Sequence, residues 1–113
     1  MLLNIFNSSV NEIIIIDNYV GKELLDILKD VKRKIVIVSK NINEILKKKY
    51  ESQYDNITFI NNDSFHDRFI IIDRNKLYSC GASFKELGKR CFCIYENNDK
   101  EYLQRILKTI GIE

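Results

Sequence analysis

The sequence predicts an α/β fold, a mixed and largely parallel central sheet flanked by helices. Three observations predict it. The short β-branched runs Glu12–Asp17 (EIIIID) and Lys34–Ser39 (KIVIVS) are apolar without alternation, as strands covered on both faces are. Between them, Leu24, Leu25, Ile27, Leu28 and Val31 recur at helical spacing and form one wide apolar stripe. In the second half, two strand-like runs flank the tight Arg74-Asn75-Lys76 connection and read as a hairpin. Strand–helix–strand order implies parallel pairing with right-handed crossovers, to which the hairpin adds antiparallel strands.

Taken in order, Met1–Val10 places Leu2, Leu3 and Phe6 at helical spacing. It is either a short opening helix or the remnant of a linker from a longer protein. The first strand, Glu12–Asp17, is followed by a helix over Val20–Val31 and a second strand, Lys34–Ser39. Asn41 or Asn43 caps the next helix, which runs to about Tyr54 and carries Lys47, Lys48 and Lys49 on its outer face. Ile57–Ile60 is a short third strand, and Asn61-Asn62-Asp63-Ser64 is a turn cluster. Arg68–Asp73 and Leu77–Cys80 are the hairpin strands. Gly81-Ala82-Ser83 opens a short helix, Phe84–Leu87, closed by Gly88. Cys91–Tyr95 is a final strand, and Asp99 caps a closing helix that ends near Ile110 and Gly111.

At 113 residues the chain suits a single domain with one hydrophobic core. Its composition, 45% hydrophobic and 30% charged, is that of an ordinary globular protein. The net charge of +2 is too small to argue for nucleic acid, so a basic patch has to come from local arrangement. No apolar run is long enough to cross a bilayer, and the N-terminus lacks the pattern of a signal peptide. A cytoplasmic protein is therefore expected, with Cys80, Cys91 and Cys93 as reduced thiols. These cysteines and His66 have no close-paired zinc spacing, and no metal or cofactor is expected. Asp17 and Asp73 each close an apolar strand; brought together at one sheet edge they would hold a divalent cation, and otherwise they are capping carboxylates.

The chemistry concentrates in Phe65-His66-Asp67-Arg68-Phe69-Ile70-Ile71-Ile72-Asp73, which holds the only histidine. Strand alternation puts His66 and Arg68 on one face, a proton carrier for the neutral range beside a fixed positive charge. Ser83 opens a helix after glycine, where free backbone N–H groups attract phosphate, and Lys85 and Lys89 add charge nearby. The bland alternative is a structural histidine, an arginine paired with Asp63 or Asp67, and a common helix cap.

The spacing His66-x-Arg68-(x)4-Asp73, followed by Gly81-Ala82-Ser83, resembles the His-x-Lys-(x)4-Asp signature of the phospholipase D superfamily. HDRFIIID with GASFKELGKRCF looks like a bacterial and prophage subfamily in which such a domain follows an N-terminal DNA-binding domain. The resemblance implies a phospholipase D-like half-domain and a metal-independent phosphodiesterase or nuclease acting through a phosphohistidine on His66. It gives His66, Arg68 and Asp73 as catalytic positions, and Arg68, Gly81, Ser83 and Lys85 as phosphate-binding ones. One chain supplies one histidine, so it also implies a homodimer with both His66 side chains at the seam. Two departures stand out. Arg68 replaces the family's lysine, and the glycine–serine element is shifted by one residue. Alternation puts Asp73 on the face opposite His66, which suits a structural role, accepting hydrogen bonds from the Arg74–Lys76 loop or pairing with a nearby base.

Two functional readings follow. One is a nuclease of this type. The other is a catalytically degenerate copy that binds DNA or phosphate, or dimerises, as a module of a larger DNA-binding or prophage protein.

Overall fold

Four consecutive isoleucines, Ile13–Ile16, form the axis of the fold. Successive side chains of a strand point to opposite faces, so an unbroken apolar run needs cover on both. The computed structural model, which describes residues 2–18, 22–40, 42–65, 67–80 and 94–112, supplies that cover. Strand β1 (Glu12–Ile16) is buried throughout. With it run β2 (Lys34–Ser39), β3 (Ile57–Asn61), β4 (Arg68–Ile72), β5 (Lys76–Cys80) and β6 (Ile94–Asn97). The helices are α1 (Leu2–Asn7), α2 (Lys22–Leu28), α3 (Glu44–Gln53) and α4 (Lys100–Thr109).

The six strands make one sheet in the order β3-β2-β1-β4-β5-β6. β1–β2 and β2–β3 pair in parallel, whereas β1–β4, β4–β5 and β5–β6 are antiparallel. The sheet is mixed as expected, but it is not largely parallel: two of its five pairings are parallel and three antiparallel. After β3 the chain crosses back over the sheet and lays β4 along the free side of β1 in the opposite direction. The α/β class stands, with helices on both faces.

Side-chain parity divides the core into two layers. Ile13, Ile15, Ile35, Ile37, Ile70 and Ile72 face Phe6 of α1, Leu24, Leu25 and Leu28 of α2, and Tyr50 of α3. Ile14, Ile16, Val36, Val38, Phe69 and Ile71 face Leu103, Ile106 and Leu107 of α4. Each such side chain, moved from water to full burial, contributes about 1.5–3 kcal/mol before the entropy cost of ordering is set against it.

The helix ends follow their sequence signals. Asn43, one of the two expected caps, accepts from the N–H groups of Ile45 and Leu46 at 2.9 and 3.1 Å. Asp99 caps α4 by accepting from Tyr102 N–H at 3.0 Å. Gly111, at φ +80°, closes α4: Ile112 N–H reaches the Leu107 carbonyl and Gly111 N–H the Lys108 carbonyl, both at 3.1 Å. No helix among the described residues is long and apolar enough to cross a membrane. The helix expected over Phe84–Leu87 lies outside the described residues, as do the first residues of the strand expected from Cys91.

Candidate functional site

The chain leaves β1 toward β2 on one side and returns to β4 on the other. Open α/β sheets place ligands in the crevice beyond the strand where the order reverses, at its carboxyl end. Here that position is held by Asp17 and Asn18, which directly follow β1. The register pairs Ile16 with Phe69 and Arg68 with Cys80. One step further, Asp17, Arg68 and Cys80 fall in a row across β1, β4 and β5, on the face packed by α1, α2 and α3. Asp17 is fully buried. Burial pushes the Cys80 thiol up to about 12; the Asp17 charge adds to the shift and the Arg68 guanidinium opposes it. A thiol so placed stays protonated and is no nucleophile.

Asn18 organises the approach to β4. Its amide nitrogen donates to the Phe65 carbonyl at 2.6 Å, and its buried Oδ1 has no hydrogen-bond partner among the described residues. The Phe65 ring meets Phe69 edge-on at a centroid distance of 6.3 Å, and Phe69 in turn meets Tyr102 of α4 at 5.8 Å. Backbone and ring therefore fasten this loop to both layers. Beside it, Lys40, Asn61, Asn62 and Asp63 line an open cleft of about 440 Å³. Asn62 Oδ1 accepts from Ser64 N–H at 2.8 Å in an Asx turn.

The opposite end of the sheet is built from the same residue types to a different end. Asp73 and Arg74 both take positive φ, 55° and 56°, in a turn closed by Asn75 N–H to the Ile72 carbonyl at 3.0 Å. The Asp73 carboxylate accepts from the N–H groups of Val10, Asn11 and Glu12 at 2.8–2.9 Å. The Ser9 hydroxyl proton lies between Asp73 Oδ1 at 2.9 Å and the Glu12 carbonyl at 3.1 Å. Burial raises the Asp73 pKa, but the Glu12, Val10 and Asn11 amides and the Ser9 hydroxyl outweigh it and hold the carboxyl at about 2. Arg74 grips Glu12 with Nε–Oε1 at 2.7 Å and Nη2–Oε2 at 3.2 Å, and Lys34 adds a contact at 3.4 Å. The Arg74 hydrogen bond holds the Glu12 carboxyl below its ordinary range against the opposing effect of burial, and the charges of Arg74 and Lys34 add to it.

Of the six positions that the phospholipase D resemblance gave as catalytic or phosphate-binding, Arg68 and Asp73 lie within the described residues. His66, Gly81, Ser83 and Lys85 lie outside them. Arg68 opens β4 at the crevice, whereas Asp73 follows β4 at the far end, with the length of the strand between them. Asp73 bonds to Ser9–Glu12, not to the Arg74–Lys76 loop. Antiparallel pairing of β1 and β4 also sends Asp17 and Asp73 to opposite ends, so they share no cation site. Among the described residues no group of three His, Cys, Asp or Glu side chains is placed to hold a metal ion. Sequence reasoning passed over Asn18 and Ser39. The available signal was a polar residue directly after a buried parallel strand.

No family model and no curated protein matches the chain. Among solved structures it is similar to TrmBL2, described as an archaeal chromatin protein with a novel mode of DNA binding. The similarity has a TM-score of 0.60 at 17% identity and covers 97% of this chain and 45% of TrmBL2. The chain thus spans a little under half the length of that protein, and at this identity the likeness is one of fold. The resemblance to the phospholipase D superfamily is corrected accordingly: no family model supports it, and the fold is shared with a DNA-binding chromatin protein. The likeness to TrmBL2 says nothing of the homodimer expected from two paired His66 side chains. A five-residue strand with polar residues at both ends yields the same spacing of Arg68 and Asp73 for reasons of folding alone.

Proposed function

We propose that this chain is the accessory α/β domain of a DNA-binding protein, contacting nucleic acid through phosphates and hydrolysing none. The observation that carries this reading is the fold likeness to a DNA-binding chromatin protein over nearly the whole chain. The crevice is in keeping with binding rather than reaction, since Cys80 stays protonated and Arg68 lies beside a buried carboxylate. Lys40 at the open cleft and Lys48 and Lys49 on the exposed side of α3 are the groups suited to phosphate. Glu44 and Glu51 share that helix, so the contact is weak and electrostatic.

Fluorescence anisotropy with labelled duplex DNA tests this. The expected dissociation constant is about 10–100 μM near physiological salt, with log K falling against log salt at a slope of about −2 to −4. Replacing Lys47, Lys48 and Lys49 together by Glu weakens binding at least about tenfold, because each lost phosphate contact also removes a counterion-release contribution. Absence of binding at low salt overturns the reading. So does turnover of bis(p-nitrophenyl) phosphate in EDTA that disappears in His66→Ala.

A further inference from the structure

A second binding feature lies beside the crevice, at the carboxyl ends of β2 and β3. Lys40, which directly follows β2, lines the open cleft of about 440 Å³ there together with Asn61, Asn62 and Asp63. Parallel pairing sets the two sides: Ser39 lies opposite Asn61, and Asn62 N–H extends the ladder to the Ser39 carbonyl at 3.0 Å. The turn that follows fixes what each side chain offers. Asn62 Oδ1 is taken by Ser64 N–H at 2.8 Å, which leaves its amide nitrogen to donate. Asp63 stands inside that turn and is exposed, whereas Lys40 is half-buried. Among the described residues no ion pair joins Lys40 to Asp63, and neither side chain has a hydrogen-bond partner.

From these two charges, which line one cleft without neutralising each other, we propose that the cleft binds a small zwitterion of the amino-acid class. The carboxylate of the ligand pairs with Lys40 and accepts from the Asn62 amide nitrogen, while its ammonium group pairs with Asp63. Asn61, whose amide both donates and accepts, can serve either end. The place is apt, since open α/β sheets hold ligands at the carboxyl ends of their parallel strands. Other occupants match the lining less well. A phosphate seated in the cleft would meet Asp63 as a like charge, and a divalent cation would meet Lys40 and a single carboxylate. A nucleobase would find no aromatic ring among the described lining residues to stack on. A bound zwitterion and DNA compete for Lys40, the one group shared with the phosphate reading.

Amide NMR on the protein without DNA is the test, so failure of the DNA reading leaves its result intact. Glycine, β-alanine and γ-aminobutyrate carry the same two charges at increasing separation, whereas acetate and ethylamine carry one each. At constant ionic strength, at least one zwitterion is expected to give saturable shifts at Lys40, Asn61, Asn62 and Asp63. Its midpoint should lie at about 1–30 mM, because so small a ligand in an open cleft binds weakly. Acetate and ethylamine, each meeting one of the two charges, should need at least about fivefold more. Asp63→Asn and Lys40→Met should each abolish that advantage. Failure of every zwitterion to saturate, an acetate or ethylamine midpoint equal to the best of them, or an advantage that survives Asp63→Asn overturns the proposal. The singly charged controls decide in the unsubstituted protein, so the test does not depend on a variant folding.

Discussion

The two ends of the central sheet use similar residues in opposite ways. At the Asp73 end, each carboxylate is matched: Asp73 by three backbone amides and a hydroxyl, Glu12 by Arg74 and Lys34. At the Asp17 end, the Asn18 amide oxygen is buried with no hydrogen-bond partner among the described residues, and a pocket and a cleft open nearby. Satisfied polar groups stabilise a particular geometry, whereas unsatisfied ones cost stability and persist where a ligand can meet them. The first end is construction throughout; the second is where the sheet leaves open space.

Substitutions can break or sharpen that contrast. Asp73→Ala should cause the largest loss, about 2–4 kcal/mol in urea unfolding, since it removes the acceptor of three amides at once and one of the two acceptors of the Ser9 hydroxyl. A loss below about 1 kcal/mol would dissolve the distinction between the ends. Arg74→Ala should cost about 1–2 kcal/mol, because Glu12, whose side chain is only 7% exposed, keeps just the longer Lys34 contact. The positive φ at Arg74 does not soften this cost, because alanine keeps the Cβ that disfavours the left-handed region.

Acid should act through the same end. The Asp73 and Glu12 pKa values are depressed in the folded state, so both contribute stability above the ordinary carboxylate range. That contribution drains away as pH falls from about 4 toward 2. Asp73→Asn should flatten the pH dependence of the unfolding midpoint over that interval, and an unchanged slope would contradict the assignment.

At the binding end the expected effects are smaller. Asn18→Ala removes a hydrogen bond to Phe65 together with an orphaned acceptor, so stability should change by no more than about 1 kcal/mol in either direction. Hydrogen exchange at residues 62–65 should nevertheless quicken. Smallest of all is Cys80: with Cys91 and Cys93 replaced by Ser, a disulfide reagent at pH 8 should leave the native thiol unmodified until the protein unfolds, because that thiol titrates near 12.

Much of the fold was legible because its signals are local. The isoleucine runs, the Asn43 and Asp99 caps and the glycine at position 111 each act within a few residues of themselves. The remainder depended on distance. The partners of Asp73 lie 61 to 64 residues away, and no local pattern announces them. Likewise the direction of β4 against β1 is set by where the returning chain docks; it sends Asp17 and Asp73 to opposite ends of the sheet. The site was legible only in part. Arg68 stands out by its charge, but Asn18 acquires significance only through the hydrogen bond of its amide nitrogen to the Phe65 carbonyl and its buried Oδ1. A three-residue motif, by contrast, suggested a family that the fold comparison did not support.

The position of β1 has a consequence for how the protein is made. Its four isoleucines pair with β2 on one side and β4 on the other, and β4 leaves the ribosome long after β1. Until then the nascent chain carries a charge-free, strongly β-forming stretch with one edge open, a natural target for chaperones and a hazard for intermolecular pairing. Arrival of Asp73 closes that interval, since its carboxylate gathers Ser9–Glu12 and seals the exposed edge. Slowed translation between β3 and β4 should therefore lower the yield of folded protein more than the same delay after β5.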